Sequence, residues 1–400
     1  MELIELWRSA VRAELPAAID LRHDLHADPR VTGDEEDTAK ALSSAIGLGD
    51  GERVAGTGRL IWVTEPGDGR PAIALRTELD ALPLVETTTV PWRSTREAMH
   101  CCGHDVHMAA LTAVVRAARH VELPVPLVAV LQPREEGSNS GARDVVAEGA
   151  LEGVHAIIAA HVQPQLGPRI VAATPGAVNA GTDEFEIVVR GRGGHSGYPH
   201  TVDDSVLALS SIVVALQQVS SRRIDPVVGA VCMVNQIRAG SADNVVPERA
   251  SASGTCRTRT PADRETALTA IREIAGHVAA AHGCSAEVTS EECEPPLHND
   301  ADLAVTAFPL LADMGHRVSS EFRSFGGDDF SHYCAAMRGL MLFVGTGTAT
   351  GGLHDSSYLP GDEYVGLVAD ALIAGYCAAA LTQPRADQAM PACPRRDPTR

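Results

Sequence analysis

Four short apolar runs in this sequence each lead into a group of polar, chemically reactive side chains. The first covers residues 72–75, and the others are "PLVAVLQP", "AIIAAHVQP" and "GLMLFVGTG". The polar residues at or beyond their ends are Glu78 and Asp80, Glu135 and Glu136, His161, and His354. Segments of helical character such as "HMAALTAVVRAARHV" separate the runs, and this alternation predicts an α/β layer built on a largely parallel sheet. Because such sheets bind ligands beyond the carboxyl ends of their strands, we expect these polar residues to meet there.

The middle of the chain follows a different pattern. Residues 178–293 predict the order strand, helix, strand, strand, helix, strand, which is the split βαβ arrangement of a small ferredoxin-like α+β domain. Catalytic-type sequence resumes afterwards, so this domain is predicted to be inserted into a catalytic domain formed by residues 1–177 and 294–382. Residues 383–400 are rich in Pro and Arg and predict a disordered tail.

Size and charge restrict the class of protein. A chain of 400 residues suggests about two domains, and its net charge of −19 argues against nucleic acid or an anionic membrane as a partner. We expect no membrane-spanning segment, because no apolar run approaches the roughly 18–20 residues needed to cross a bilayer. We also expect no signal peptide, because the first residues predict a charged amphipathic helix. Nine scattered cysteines without a framework spacing favour a reducing compartment, so the predicted location is cytoplasmic.

The segment "MHCCGHDVH" at 99–107 concentrates two cysteines and three histidines within nine residues. Together with Glu135, Glu136, His161 and His354 it offers thiolate, imidazole and carboxylate, the ligand set of zinc or a related transition ion. Two metals sharing one bridging ligand would need about this many protein ligands. Consecutive glutamates suit such a centre, because one can bind metal while the other moves protons.

Two other kinds of protein are compatible with parts of this pattern. A cysteine hydrolase would use Cys102 as the nucleophile and His104 or His107 as the base, but it leaves the remaining predicted ligands without a purpose. A non-catalytic binding protein on the same fold is expected to have lost a ligand or Glu135, and all are present.

The ordered motifs "LRHDLHADP", "ALRTELDALP", "MHCCGHDVHMAALT", "LQPREEG", "AAHVQP", "GRGGHSGYPHTVDD", "GTCRT" and "LHDSSY" resemble those of metal-dependent amidohydrolases of the M20 peptidase group. The resemblance covers residues 20 to 380. It implies a zinc-peptidase-like catalytic domain with a mainly parallel sheet and an inserted lid and dimerisation domain. The implied reaction is hydrolysis of an N-acyl amino acid to a carboxylic acid and a free amino acid. A dipeptidase or an N-acetyl-diaminopimelate-type deacylase is the alternative.

The resemblance also implies individual roles. Two divalent ions, zinc or manganese, are expected per subunit. The implied metal ligands are Cys102, which bridges both ions, His104, Glu136, His161 and His354. Glu135 is the implied general base and acid, and Asp80 an aspartate behind the metals. Asp105 and His107 are expected to cap or support the site without binding metal.

Three residues of the inserted domain are implied to act on the substrate. His195 is expected to reach the active site of the partner subunit in a homodimer and to stabilise the oxyanion, whereas Asn244 and Arg257 are expected to contact the substrate. Arg257 suits a carboxylate because its guanidinium can donate two parallel hydrogen bonds. The sequence departs from the family pattern at Glu78, usually aspartate, and at Gly327, commonly serine.

Overall fold

The computed structural model describes residues 2–64, 71–137 and 139–383. Most of the predicted tail therefore lies outside the described residues. The helices are α1 (Glu2–Ala27), α2 (Glu36–Ile46), α3 (His104–Ala118), α4 (Gly141–Ala147), α5 (Ser205–Ala215), α6 (Pro261–Ala281), α7 (Ala301–Asp313), α8 (Ser331–Ala336) and α9 (Glu363–Leu381). The strands are β1 (Glu52–Val54), β2 (Gly58–Trp62), β3 (Ala72–Glu78), β4 (Leu127–Gln132), β5 (Val154–Gln163), β6 (Ile170–Ala172), β7 (Gly176–Asn179), β8 (Gly181–Arg190), β9 (Gly194–His195), β10 (Val231–Ala239), β11 (Val245–Val246), β12 (Arg249–Thr258), β13 (Ser285–Glu294), β14 (Leu297–Asn299), β15 (Arg317–Ser319) and β16 (Arg338–Gly345).

An eight-stranded sheet with the order β1-β2-β4-β3-β5-β16-β6-β15 organises the larger unit. Its four central strands, β4, β3, β5 and β16, are all parallel to their neighbours within this set. Alternate residues of β3 face opposite sides: Ile73 and Leu75 pack with α1, α3 and α9, whereas Ala74 joins the core beneath α4 and α8. The predicted α/β class with a mainly parallel central sheet is confirmed.

The second sheet has the order β10-β12-β8-β13 and is antiparallel throughout. Helices α5 and α6 cover one of its faces and share with it a separate apolar core. The predicted sequence of strands and helices is confirmed, and the strand order is that of a ferredoxin-like unit. Strands β7 and β14, which pair antiparallel, carry the chain into and out of this unit. The predicted domain boundaries at 178 and 293 remain predictions, since the strands themselves run from Gly181 to Glu294.

Helix α9 is the one described helix that is long and apolar enough to cross a membrane, with a mean hydropathy of 1.7. Of its apolar 18-residue stretch, 78% is buried inside the protein, because α9 packs against α1, α3, α7 and the central strands. The helix is therefore a core element here, but the expectation that no apolar run approaches the length of a bilayer span is wrong for α9.

A buried cluster of charged side chains fastens α1 to the elements around the carboxyl edge of the larger sheet. Arg22 donates to Asp105 Oδ2 at the start of α3 (2.9 Å), to Asp362 Oδ1 before α9 (2.7 Å) and to the carbonyl of Pro360 (2.6 Å). His26 lies between Asp105 (3.1 Å) and Glu86 (3.2 Å). Although burial alone lowers it, these two carboxylates raise the pKa of His26 to about 9.

Candidate active site

The four central parallel strands end at one edge of the sheet, and the predicted site residues gather there. Glu78 closes β3, His161 lies near the end of β5, and the loop after β4 carries Glu135 and Glu136. The segment after β16 carries His354. The position follows from the topology, because parallel strands present all their carboxyl ends on the same side.

Cys102 and His104 are brought to this edge by a tight turn at the start of α3. Gly103, between them, has φ +86°, and a Cβ at this position would overlap Cγ2 of Val162. Glycine therefore allows the turn to approach the end of β5 closely. As a result Cys102 Sγ lies 3.4 Å from Nε2 of His161.

Asp80 fixes the conformation of the Glu135–Glu136 loop. Its carboxylate accepts hydrogen bonds from the backbone N–H groups of Glu135 (3.1 Å) and Glu136 (2.9 Å) and from the hydroxyl of Thr32 (2.7 Å). Its backbone carbonyl lies 2.8 Å from Nδ1 of His104, so Nδ1–H donates and leaves Nε2 free to bind a cation.

The opposite side of the site is formed by His354, whose backbone is left-handed with φ +65°. Its N–H donates to the carbonyl of Cys101 (3.0 Å), and its Nε2 lies 3.3 Å from Oε2 of Glu136. A non-glycine residue in this conformation indicates a constraint imposed by its surroundings. All five predicted ligands therefore converge on one region.

The arrangement of donor atoms fits divalent metal ions. Ligand atoms of Cys102, His104 and Glu136 lie within 4.8 Å of one another, and so do those of a second group, Glu78, His104, His107 and His161. His104 Nε2 and Glu136 Oε1 are buried without a hydrogen-bond partner among the described residues. Buried polar atoms of this kind need a partner, and a thiolate, imidazole and carboxylate set is one that zinc accepts.

The electrostatics of the protein alone disfavour the charged forms of two key groups. Burial, with the charges of Glu136 and Glu135, holds the pKa of the Cys102 thiol well above its usual value. Burial and the neighbouring Glu136 carboxylate likewise raise the pKa of Glu135. A thiolate and several carboxylates can coexist here only when positive charge is supplied, which is a further reason why the site fits metal cations.

Two further residues support the site: His107, for which such a role is expected from the sequence, and Arg76, which was not identified from the sequence. His107 Nδ1–H donates to Glu78 Oε2 (3.0 Å), and its Nε2 accepts from the backbone N–H of Val162 (2.9 Å), so the imidazole links the end of β3 to β5 beside His161. Arg76 is fully buried and bonds Glu78, Gln132 Oε1 (2.8 Å) and Asp329 Oδ1 (3.0 Å). In the sequence, Arg76 could have been recognised only as a lone charged residue inside an apolar strand.

A cavity of about 530 Å³ opens above these residues. Its wall includes Glu135, Cys102 and, from the ferredoxin-like unit, Arg257, whose Nη1 donates to the carbonyl of Phe325 (2.9 Å). His195 and Asn244 do not line it. His195 lies in β9 and Asn244 directly precedes β11, the two strands of a short exposed ribbon, where the Ser196 N–H donates to the Asn244 carbonyl (3.1 Å).

Comparison with known proteins places this arrangement in a family. The model of "Peptidase family M20/M25/M40" matches residues 74–369. The chain is 34% identical over 336 residues to N-acetylcysteine deacetylase of Bacillus subtilis (82% of this chain, 88% of that protein). It is 32% identical over 366 residues to N-acetyldiaminopimelate deacetylase of Shouchella clausii (89% and 96%). The crystal structure of the Bacillus subtilis YXEP protein, described as a dinuclear metal binding peptidase from the M20 family, superposes with a TM-score of 0.80 at 29% identity (92% and 99%).

Fold, donor atoms and these similarities together define a metal-dependent amidohydrolase. The chain belongs to peptidase family M20/M25/M40. The predicted family resemblance is confirmed.

Proposed function

We propose that this enzyme hydrolyses the amide bond of an N-acyl amino acid and releases a carboxylic acid and a free amino acid. The observation that carries the proposal is the convergence of Cys102, His104, Glu136, His161 and His354 on a cavity that also contains Glu135. The names of two relatives, N-acetylcysteine deacetylase and N-acetyldiaminopimelate deacetylase, support substrates of this class.

The five converging residues, Cys102 among them, would hold two divalent ions. When bound, such ions polarise a carbonyl group and lower the pKa of water. The thiolate favours zinc over manganese in this proposal, because thiolate is a softer ligand than manganese prefers.

The proton transfers are assigned to Glu135. Its carboxylate lies 3.6 Å from His104 Nε2 and borders the cavity, so it is close to the proposed metal ligands without being needed as one. It takes the proton of the attacking water and later delivers it to the nitrogen of the leaving amine. Arg257, which also lines the cavity, binds the carboxylate of the amino-acid half through its planar guanidinium.

We also propose that two copies of the chain associate through the ferredoxin-like unit, residues 178–293. Helix α5 exposes Val206, Leu207 and Val214, and β10 is an edge strand that exposes Met233 and Ile237. Exposed apolar residues beside an unpaired strand edge suit a protein partner. Association would allow His195 and Asn244, which lie outside their own cavity, to complete the partner's site.

We propose a cytoplasmic location. The eight described cysteines are unpaired, which supports a reducing compartment.

Metal analysis combined with an amine-release assay over a panel of N-acyl amino acids and dipeptides tests the reaction. Chelation should abolish hydrolysis and added zinc or manganese should restore it, whereas a cysteine hydrolase would survive chelation. Cys102→Ala should lose metal, and Cys101→Ala, which changes the adjacent buried thiol, should keep it. A fully metallated protein that hydrolyses nothing in the panel would refute the proposal and favour a binding protein.

Light scattering on a sizing column tests the association. Val214→Lys should produce monomers, because it places a charge on the proposed interface. Val305→Lys, at a similarly exposed position on α7, should not. A wild-type protein that is monomeric at micromolar concentration would overturn the proposed dimer.

A further inference from the structure

Glu294 lies in one row with Arg257 across the second sheet. Both residues are register partners of Thr182 on the intervening strand β8, Arg257 from β12 and Glu294 from β13. Directly opposed residues project from the same face of a sheet, and two strand spacings separate these backbones by about 10 Å. An acidic and a basic side chain therefore flank Thr182 on one face.

That face is directed at the wall of the cavity. A Cβ added to Gly327, a residue of the cavity wall, would overlap Oε2 of Glu294 and lie 3.4 Å from Oγ1 of Thr182. The absence of a side chain at Gly327 thus leaves room for the Glu294 carboxylate beside the cavity. A larger residue at 327 would displace it.

The Glu294 carboxylate has no partner of its own. Among the described residues it makes no hydrogen bond, and no cation lies within 4 Å of it. The positive charge of Arg257 acts on this carboxylate from a distance, and its Nη1 donates instead to the Phe325 carbonyl. Burial, together with the charge of Asp329, raises the pKa of Glu294 to about 7. A half-buried carboxyl in this condition would be stabilised as an anion by an incoming cation.

We propose that Glu294 binds a cationic group on the side chain of the amino-acid half of the substrate, so that the enzyme prefers N-acyl derivatives of diamino acids such as lysine and ornithine. The inference rests on the proposed function, because it takes Arg257 as the site of the α-carboxylate. The substrate would then place its carboxylate and its ammonium group at the two ends of the Arg257–Thr182–Glu294 row.

The test compares kcat/KM for Nα-acetyl-lysine with that for Nα-acetyl-norleucine, which has nearly the same shape without the charge. The wild-type ratio should be roughly 10 to 100 in favour of lysine, the range expected for a hydrogen bond between charged groups. Glu294→Gln should reduce the ratio to near 1, and Glu294→Asp should retain part of it. Glu287→Gln, at an exposed site on the same strand, should keep the wild-type ratio.

The outcomes separate the two proposals. If the metallated wild type hydrolyses neither compound nor any other N-acyl amino acid, the proposed function fails. If it hydrolyses both with equal efficiency, or if Glu294→Gln leaves the lysine preference intact, only the role of Glu294 is overturned. If Glu294→Gln does not fold, Glu294→Asp still tests the role, because it should retain only part of the lysine preference, and an unchanged preference would overturn the proposal.

Discussion

Removal of the Arg22 side chain tests whether the buried charge cluster stabilises the frame of the active site. In Arg22→Met the apolar stem is largely kept, but three charge-assisted or carbonyl hydrogen bonds are lost. Arg22 and Asp105 are both fully buried, and breaking such a pair typically costs about 3–5 kcal/mol, because the remaining charge is left uncompensated. We expect a loss of about 4 kcal/mol in the free energy of unfolding at pH 7.

A second substitution distinguishes the loss of charge balance from a loss of packing. Without Arg22, one cation, His26, faces two buried carboxylates, Asp105 and Glu86. Adding Asp105→Asn restores the balance of one cation and one anion, so the double variant should recover part of the lost stability. A simple packing defect would not be repaired in this way.

Urea denaturation followed by circular dichroism gives the measurement, since a shift of the midpoint at constant slope reports stability. Arg53→Met is the matched control: it removes an exposed ion pair with Glu36 and should cost less than about 1 kcal/mol. If Arg22→Met lost no more than this control, or if Asp105→Asn worsened the variant, the reasoning on charge balance would be wrong.

Three further results are expected. Glu135→Gln should reduce kcat about 100- to 10,000-fold while the metal content measured by mass spectrometry stays unchanged; loss of metal would instead make Glu135 a ligand. The folded-state pKa of His26, about 9, exceeds the ordinary histidine value of 6.5, so its stabilisation, about 3 kcal/mol, is complete below pH 6.5 and lost as the pH rises through 9. Unfolding measured from pH 6 to 10 should show this decline, and His26→Gln should flatten it; an unchanged profile in that variant would contradict the assignment. Gly103→Ala should cost about 1–3 kcal/mol from backbone strain and also weaken metal binding in a titration. Gly315→Ala, with φ +89° but open space around it, should show strain alone; equal metal affinities in the two variants would contradict the close-approach argument.

The sequence predicted the fold well where local pattern determines it. The apolar runs that became β3, β4, β5 and β16 are buried on both faces, so they stand out as strands without any knowledge of their neighbours. The convergence of the candidate ligands followed because a parallel sheet places all its carboxyl ends on one side. The insertion was recognisable because its order of strands and helices differs from the alternation around it.

Residues that act through distant partners could not be predicted in the same way. The supporting role of Arg76 depends on its hydrogen bond to Asp329, more than 250 positions later in the chain. The proposed role of Glu294 depends on its alignment with Arg257 across a sheet. His195 and Asn244 had a role implied only by resemblance, and neither residue lines the cavity of its own chain. Such relations depend on which strands pair, and one sequence alone does not specify this pairing in detail.

The dispersion of the candidate metal ligands along the chain has a consequence for folding. Cys102, His104, Glu136 and His161 precede the ferredoxin-like unit, but His354 follows it. The proposed centre can therefore be completed only after the interrupted sheet has received β16. Cation binding would then report that the two sequence segments of the larger unit have come together, and a product truncated before residue 354 would lack one of the candidate ligands.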